Sequence, residues 1–206
     1  DVGAWRAPRV GNWWEREPQS VTDSLTYGGF YTQDDIREVV EYARERFITV
    51  VPEIDVPGHS MALLTAYPEI SCTGGPFHVN VGNTFYTKEE NSLCVGKEKT
   101  FAILDMIFDE LVDLFPSSYI HIGGDECYKG FWAKCPDCRA RMSSKQLQNV
   151  EELQSYFVKR VASHIQSKGK HVIGWDEILE GGLAKDAIVM SWRGMKGGVE
   201  AARQGH

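Results

Sequence analysis

The 206-residue chain has no apolar run near the length of a membrane span, no cluster of lysine or arginine interleaved with aromatics, and no charged-then-apolar segment at its start. The first absence excludes a spanning helix from the sequence, because a span needs about 20 consecutive apolar residues. The second, with a formal net charge of −7, disfavours nucleic acid as a partner, since a phosphate backbone is held by concentrated positive charge. The third leaves no leader in view, so the chain is expected to start within a longer protein or after processing. Cysteine is scarce and odd in number: Cys72, Cys94, Cys127, Cys135 and Cys138 cannot all pair within the chain. Cysteines that do pair would suit an oxidising compartment, secreted, periplasmic or otherwise extracytoplasmic. What is present, 42% hydrophobic and 25% charged residues, is the composition of a globular chain with enough apolar surface for a core.

Along the chain, the stretch to Thr26 carries Trp13 and Trp14 among glycines and prolines without a period and reads as a long loop. Thr32 with Asp35 three residues on is a capping signature, and Ile36, Val39, Val40, Ala43 and Phe47 follow at helical spacing. Phe47 to Ile54 is then a β-branched run without alternation, the pattern of a strand buried on both faces of a parallel sheet. After His59 a long excursion to about Lys97 holds a short apolar helix near Met61 to Ala66. Phe101, Leu104, Ile107, Phe108, Leu111 and Phe115 trace a second helix stopped by Pro116, before a strand at Tyr119. A third helix starts at Asn149, with Glu152 as its box partner, and runs through Leu153, Tyr156, Phe157, Val161 and Ile165 to Gly169. The strand His171 to Trp175, a further buried strand from Ala187 to Ser191 and a last helix from about Gly197 to Arg203 complete four helix–strand units.

His121-Ile122-Gly123-Gly124-Asp125-Glu126 stands at the end of one of those strands. Neighbouring side chains of a strand point to opposite faces, so Asp125 and Glu126 serve one substrate only if the glycines bend the backbone out of the strand. Adjacent carboxyls raise each other's proton affinity, one route to a general acid beside an ionised neighbour. The other strands end in comparable residues: Glu53, Asp55 and His59; Trp175, Asp176 and Glu177; Trp192 and Arg193. Chemistry collected at strand ends is the layout of a (β/α)8 barrel, but eight strands typically take about 250 residues. Residues 1–206 therefore read as part of a single (β/α)8 TIM-barrel catalytic domain, about four central units of it, with both ends of the barrel outside the chain.

The hexapeptide resembles the His-x-Gly-Gly-Asp-Glu motif of family-20 glycoside hydrolases, the β-N-acetylhexosaminidases. Val50-Val51-Pro52-Glu53-Ile54-Asp55-Val56-Pro57-Gly58-His59, Gly174-Trp175-Asp176-Glu177 and Ser191-Trp192-Arg193-Gly194 resemble that family's other strand-end motifs in the same order. The resemblance implies strands three to six of the barrel and a retaining exo-β-N-acetylhexosaminidase. Its substrates would be glycans ending in β-linked N-acetylglucosamine or N-acetylgalactosamine, attacked by a substrate-assisted route without metal or cofactor. It implies Glu126 as general acid and then base, Asp125 as the residue orienting the 2-acetamido group, and His59 as a histidine linked to the acid. Trp175 and Trp192 become walls of the acetamido pocket, and Asp55 joins the substrate-binding set beside Glu53 in an ion-pair role. His121 reads as structural and Asp176 and Glu177 as hydrogen-bond partners on the rim. The residues leave two alternatives: a metal-dependent barrel hydrolase with His59, Asp125 and Glu126 as ligands, or an inactive carbohydrate-binding portion.

Cys135-Pro136-Asp137-Cys138 has zinc-like spacing but is half of a site, with Cys127 only a third ligand, so no metal is assigned. Cys72 and Cys94 bracket the long excursion and are expected to be joined by a disulfide.

Overall fold

The computed structural model describes residues 6–8, 11, 12, 20, 22–80 and 89–206. Trp13, Trp14 and most of the expected opening loop lie outside the described residues. Helix α1 (Gln33–Arg44) starts as the sequence indicates: Asp35 N–H donates to the Thr32 hydroxyl at 3.1 Å and Thr32 N–H to the Asp35 carboxylate at 2.7 Å. It ends before Phe47. The Phe47 N–H reaches Arg44 O and the Ile48 N–H reaches Ala43 O, a Schellman closure with Phe47 at its left-handed position, φ 58°. Phe47 is fully exposed, so it terminates the helix and neither extends its apolar face nor opens a strand.

Three parallel strands, β1 (Tyr119–His121), β2 (His171–Trp175) and β3 (Ile188–Met190), lie in sequence order, with Ile120 opposite Val172 and Ile173 opposite Ile188. The expected strand from Phe47 to Ile54 is reduced to a single bridge, Glu53 opposite His121, on the free edge of β1. Pro52 O accepts from His121 N–H, while Ile54 and Val56 donate to His121 O and Ile122 O. Pro52 has no N–H to give, and Ile48 and Val51 are exposed, so the segment is neither regular nor buried on both faces. β3 departs too: among the described residues it has one neighbour, β2, and Ile188 and Met190, two residues apart and so on one face of the sheet, are exposed.

The core lies between this sheet and the helices α3 (Glu98–Leu114) and α6 (Val150–Ser167), with α2 (Met61–Ala66) under the long excursion. Phe101, Leu104 and Phe108 of α3 meet Leu153, Phe157, Val161 and Ile165 of α6 at the spacing the sequence shows. Asn149 caps α6 through Glu152 N–H at 2.8 Å, and the Glu152 carboxylate takes the Gln148 N–H. Two short helices, α4 (Gly130–Lys134) and α5 (Pro136–Lys145), follow the hexapeptide, and α7 (Met195–Arg203) closes the chain. No helix among the described residues is long and apolar enough to cross a membrane.

Candidate active site

The hexapeptide leaves β1 as its glycines allow. Gly123 and Gly124 both take left-handed backbone, φ 67° and 94°, and a Cβ on Gly123 would overlap the Asp55 carboxylate. The turn is held on β2 by the Trp175 N–H on Gly123 O at 2.8 Å. Gly124 N–H donates to Asp55 at 3.2 Å, and the Gln154 amide of α6 donates to Gly124 O at 2.8 Å. Beyond the glycines the neighbouring acids part company, Asp125 with a side chain 15% exposed and Glu126 with one 53% exposed. Glu126 and His59 are themselves left-handed, φ 45° and 48°, a backbone that costs a non-glycine residue about 1–3 kcal/mol and persists where its surroundings impose it.

His59 is the meeting point. Its Nε2 lies 3.3 Å from Glu126, 3.6 Å from Asp125 and 3.9 Å from Asp55, so the structure gathers four of the five side chains the sequence places at these two strand ends, while Glu53 meets His121 at 3.2 Å. Burial and the facing Asp125 carboxylate push Asp55 up to about 8 against the Gly124 N–H, which pulls it down; Glu53 adds a further push. The raised Asp55 carboxyl faces Asp125. Asp55, His59 and Asp125 present ligand atoms within 4.8 Å of one another, a set that could also hold a metal ion; a proton on Asp55 relieves the same crowding. Asp125 Oδ1 is buried without a protein hydrogen-bond partner among the described residues, an acceptor available to a ligand N–H.

The two tryptophans are held differently. Trp175 Nε1–H donates to Glu53 at 3.1 Å, and its ring lies 4.7 Å from that of His121. Burial holds His121 below the usual histidine range, and its Nδ1 accepts the Gly123 N–H at 3.0 Å, so this histidine shapes the turn as expected of a structural residue. Trp192 Nε1–H donates to Glu177 at 3.0 Å, and its backbone N–H to Asp176, which also takes the Arg193 guanidinium at 2.8 Å. Asp176 and Glu177 thus seat Trp192 and Arg193. A cavity of about 340 Å³ opens between Glu126, Gln154, Glu177, Trp192 and Arg193, with the Lys129–Glu180 ion pair at 3.2 Å on its wall. Trp175, Asp55, His59 and Asp125 are not among its described lining residues. Gln154 and Lys129 escape a reading by motif. The signal for Gln154 is a lone amide at a buried helical position, in step with Val158, Val161 and Ile165.

The cysteines correct the sequence reading. Cys72 and Cys94 are free thiols, and Cys135 and Cys138 come to the same point, so the expected pair is half of a group of four. Cys127 is not in that group, and burial pushes its thiol up to about 12.

The family profile described as glycosyl hydrolase family 20, catalytic domain, matches residues 1–206. A β-hexosaminidase of Porphyromonas gingivalis is 48% identical over 184 residues, 89% of this chain and 23% of its own. One from Vibrio furnissii is 38% identical over all 206 residues, 33% of its own. Among solved structures, the β-N-acetylhexosaminidase of Bacteroides fragilis superposes with a TM-score of 0.76 at 38% identity, over 86% of this chain and 35% of that one. The exo-β-N-acetylglucosaminidase of Vibrio harveyi in complex with N-acetylglucosamine does so with a TM-score of 0.79 at 32% identity, over 99% of this chain and 31% of that one. The chain spans between 23% and 35% of the length of these four relatives. With its motifs, its parallel α/β sheet and the profile agreeing from end to end, the chain belongs to glycosyl hydrolase family 20 as a stretch of that family's catalytic domain.

Proposed function

We propose that the complete protein is a retaining exo-β-N-acetylhexosaminidase acting on glycans that end in β-linked N-acetylglucosamine or N-acetylgalactosamine, and that this chain supplies strands three to six of its (β/α)8 barrel. The observation that carries the reading is the division of labour inside one turn: Asp125 is partly buried against Asp55 and His59, while Glu126 reaches the cavity beside Trp192. A retaining glycosidase that uses its own nucleophile sets two carboxyls about 5–5.5 Å apart across the glycosidic bond, and family 20 is a recorded exception that works by substrate assistance. Adjacent residues on one turn approach the sugar from one side, which suits the exception.

In that scheme the acetamido carbonyl oxygen forms a bond to the anomeric carbon as the glycosidic bond breaks, and the leaving oxygen takes its proton from Glu126. Water then attacks the anomeric carbon and breaks its bond to the acetamido oxygen, giving a proton to the Glu126 carboxylate and releasing the sugar with its configuration retained. Asp125, with its unpartnered Oδ1, accepts the acetamido N–H and holds the carbonyl under the anomeric carbon. His59 fixes both acids, Trp192 presents an apolar face to the sugar, and Trp175 takes the acetamido side.

The complete enzyme is expected to hydrolyse an aryl N-acetylglucosaminide and to leave the matching aryl glucoside, which lacks the assisting group, essentially untouched. Comparable turnover of both, or a covalent glycosyl-enzyme on any carboxylate, would contradict the scheme.

A further inference from the structure

Four thiols meet at one point away from the carboxylates. Cys94 Sγ lies 3.7 Å from that of Cys135 and 3.6 Å from that of Cys138, Cys138 lies 3.8 Å from Cys72, and the sulfurs all fall within 4.8 Å of one another. Thiolates at about 2.3 Å from a central zinc stand about 3.8 Å apart at the corners of a tetrahedron, whereas a disulfide needs sulfurs at about 2.05 Å. Three of the four residues are buried and the fourth, Cys72, is partly so, leaving no open position for a substrate. That is the form of a closed structural site.

The surrounding backbone is organised around this point. Gly96 packs so tightly on Asp137 and Cys138 that a Cβ there would overlap their peptide bond, bringing the Cys94 loop against the Cys135–Cys138 turn. The Glu90 carboxylate takes the N–H groups of Cys72 and Thr73, and Cys94 N–H donates to Ile70 O at 2.8 Å. Lys97 donates to the carbonyls of Glu69 and Ser71, and Arg141 to that of Gly96 at 3.1 Å. These cations stand on the loops of a site that would carry a net charge of −2 when four thiolates hold one divalent ion.

We propose that Cys72, Cys94, Cys135 and Cys138 bind one structural zinc ion, which clips the excursion after His59 to the helices that follow Glu126. Each thiol loses its proton to solvent as its sulfur becomes a ligand. A zinc ion here departs from the expectation of no metal and takes no part in the carboxylate chemistry. The clip bears on the active site through short links: Leu93 N–H donates to Pro57 O and Ser60 N–H to Asn91 O, Trp132 Nε1–H donates to Leu93 O, and Asn91, Ser92 and Tyr128 line a crevice with Gly58 and Glu126.

The test is elemental analysis and thiol titration of the complete enzyme purified without chelator and again after reconstitution with zinc chloride. One zinc per chain at this site is expected, released as an organomercurial modifies four thiols, and cobalt(II) in its place should give the intense visible bands of a tetrahedral tetrathiolate. Cys135→Ser should abolish stoichiometric zinc at this site, Cys135→His should restore it, and Cys127→Ser should leave metal content unchanged. Should Cys135→Ser fail to fold, the wild-type stoichiometry and cobalt spectrum decide alone. Reconstituted protein without zinc at these thiols, disulfides joining them in peptide mapping, or stoichiometric iron in zinc's place would each overturn the proposal.

Discussion

The carboxylate group at His59 and the sulfur group at Cys94 draw on the same two stretches of chain, the one that runs from Asp55 through the long excursion and the one after Gly124, yet they are built in opposite ways. Around His59 the backbone is left-handed at two non-glycine residues, three acids crowd one imidazole, and Glu126 keeps 53% of its side chain exposed. Around Cys94 three of the four thiols are buried, their loops are tied by backbone hydrogen bonds, and no ligand position is left open. One arrangement retains strain and access, as a reacting centre requires; the other gives up access for rigidity.

The contrast breaks most visibly at the acid. In the complete enzyme Glu126→Gln is expected to lower kcat by about 10²–10⁴-fold on substrates with poor leaving groups and by much less on activated aryl glycosides, because only the former need its proton. Equal losses on both classes would remove Glu126 from the role of acid. Next in size is the turn that presents it. Gly123→Ala places a side chain on left-handed backbone and into Asp55, whereas at Gly169, φ 77°, nothing lies within 4 Å of an added Cβ. Gly123→Ala is therefore expected to cost about 1–3 kcal/mol more than Gly169→Ala in chemical denaturation. Similar costs would show that the turn yields freely.

The smallest expected effect is a pH dependence. Asp55 is raised in the folded protein to about 8, so its contribution is full below the unfolded carboxylate range and is lost as pH rises from about 4 through 8. Asp55→Asn, which keeps the neutral shape, should lose less stability than wild type between pH 5 and pH 8. Partial solvent access limits the difference to about 1 kcal/mol. Urea midpoints at the two pH values measure it, and parallel declines would place the proton elsewhere.

How much of this was legible in the sequence follows from how far apart the interacting residues lie. Thr32 with Asp35, Asn149 with Glu152 and the stop at Pro116 are local signals, and each marks the helix end it announces. Asp125 and Glu126 are adjacent, so their chemistry was visible as a motif. Phe47 misleads because a left-handed terminator is usually glycine, while its apolar side chain mimics both a helix face and a strand start. Composition reads the strands at both edges as buried because it reports what a segment can bury, while exposure depends on what covers it: Pro52 lacks a donor, and among the described residues β3 has one partner. The four thiols come from positions up to 66 residues apart, and spacing alone showed only the Cys135–Cys138 half.

The central claim is that Asp125 acts on the reaction by holding the acetamido group for attack, while Asp55 and His59 fix it from behind. Its most direct test is Asp125→Asn in the complete enzyme, with kcat and substrate Kd measured on a single aryl N-acetylglucosaminide. The account predicts that kcat falls by a much larger factor than Kd rises, since the contact tightens as positive charge develops on the cyclising group. A variant that binds substrate more weakly but turns it over at the wild-type kcat would contradict it.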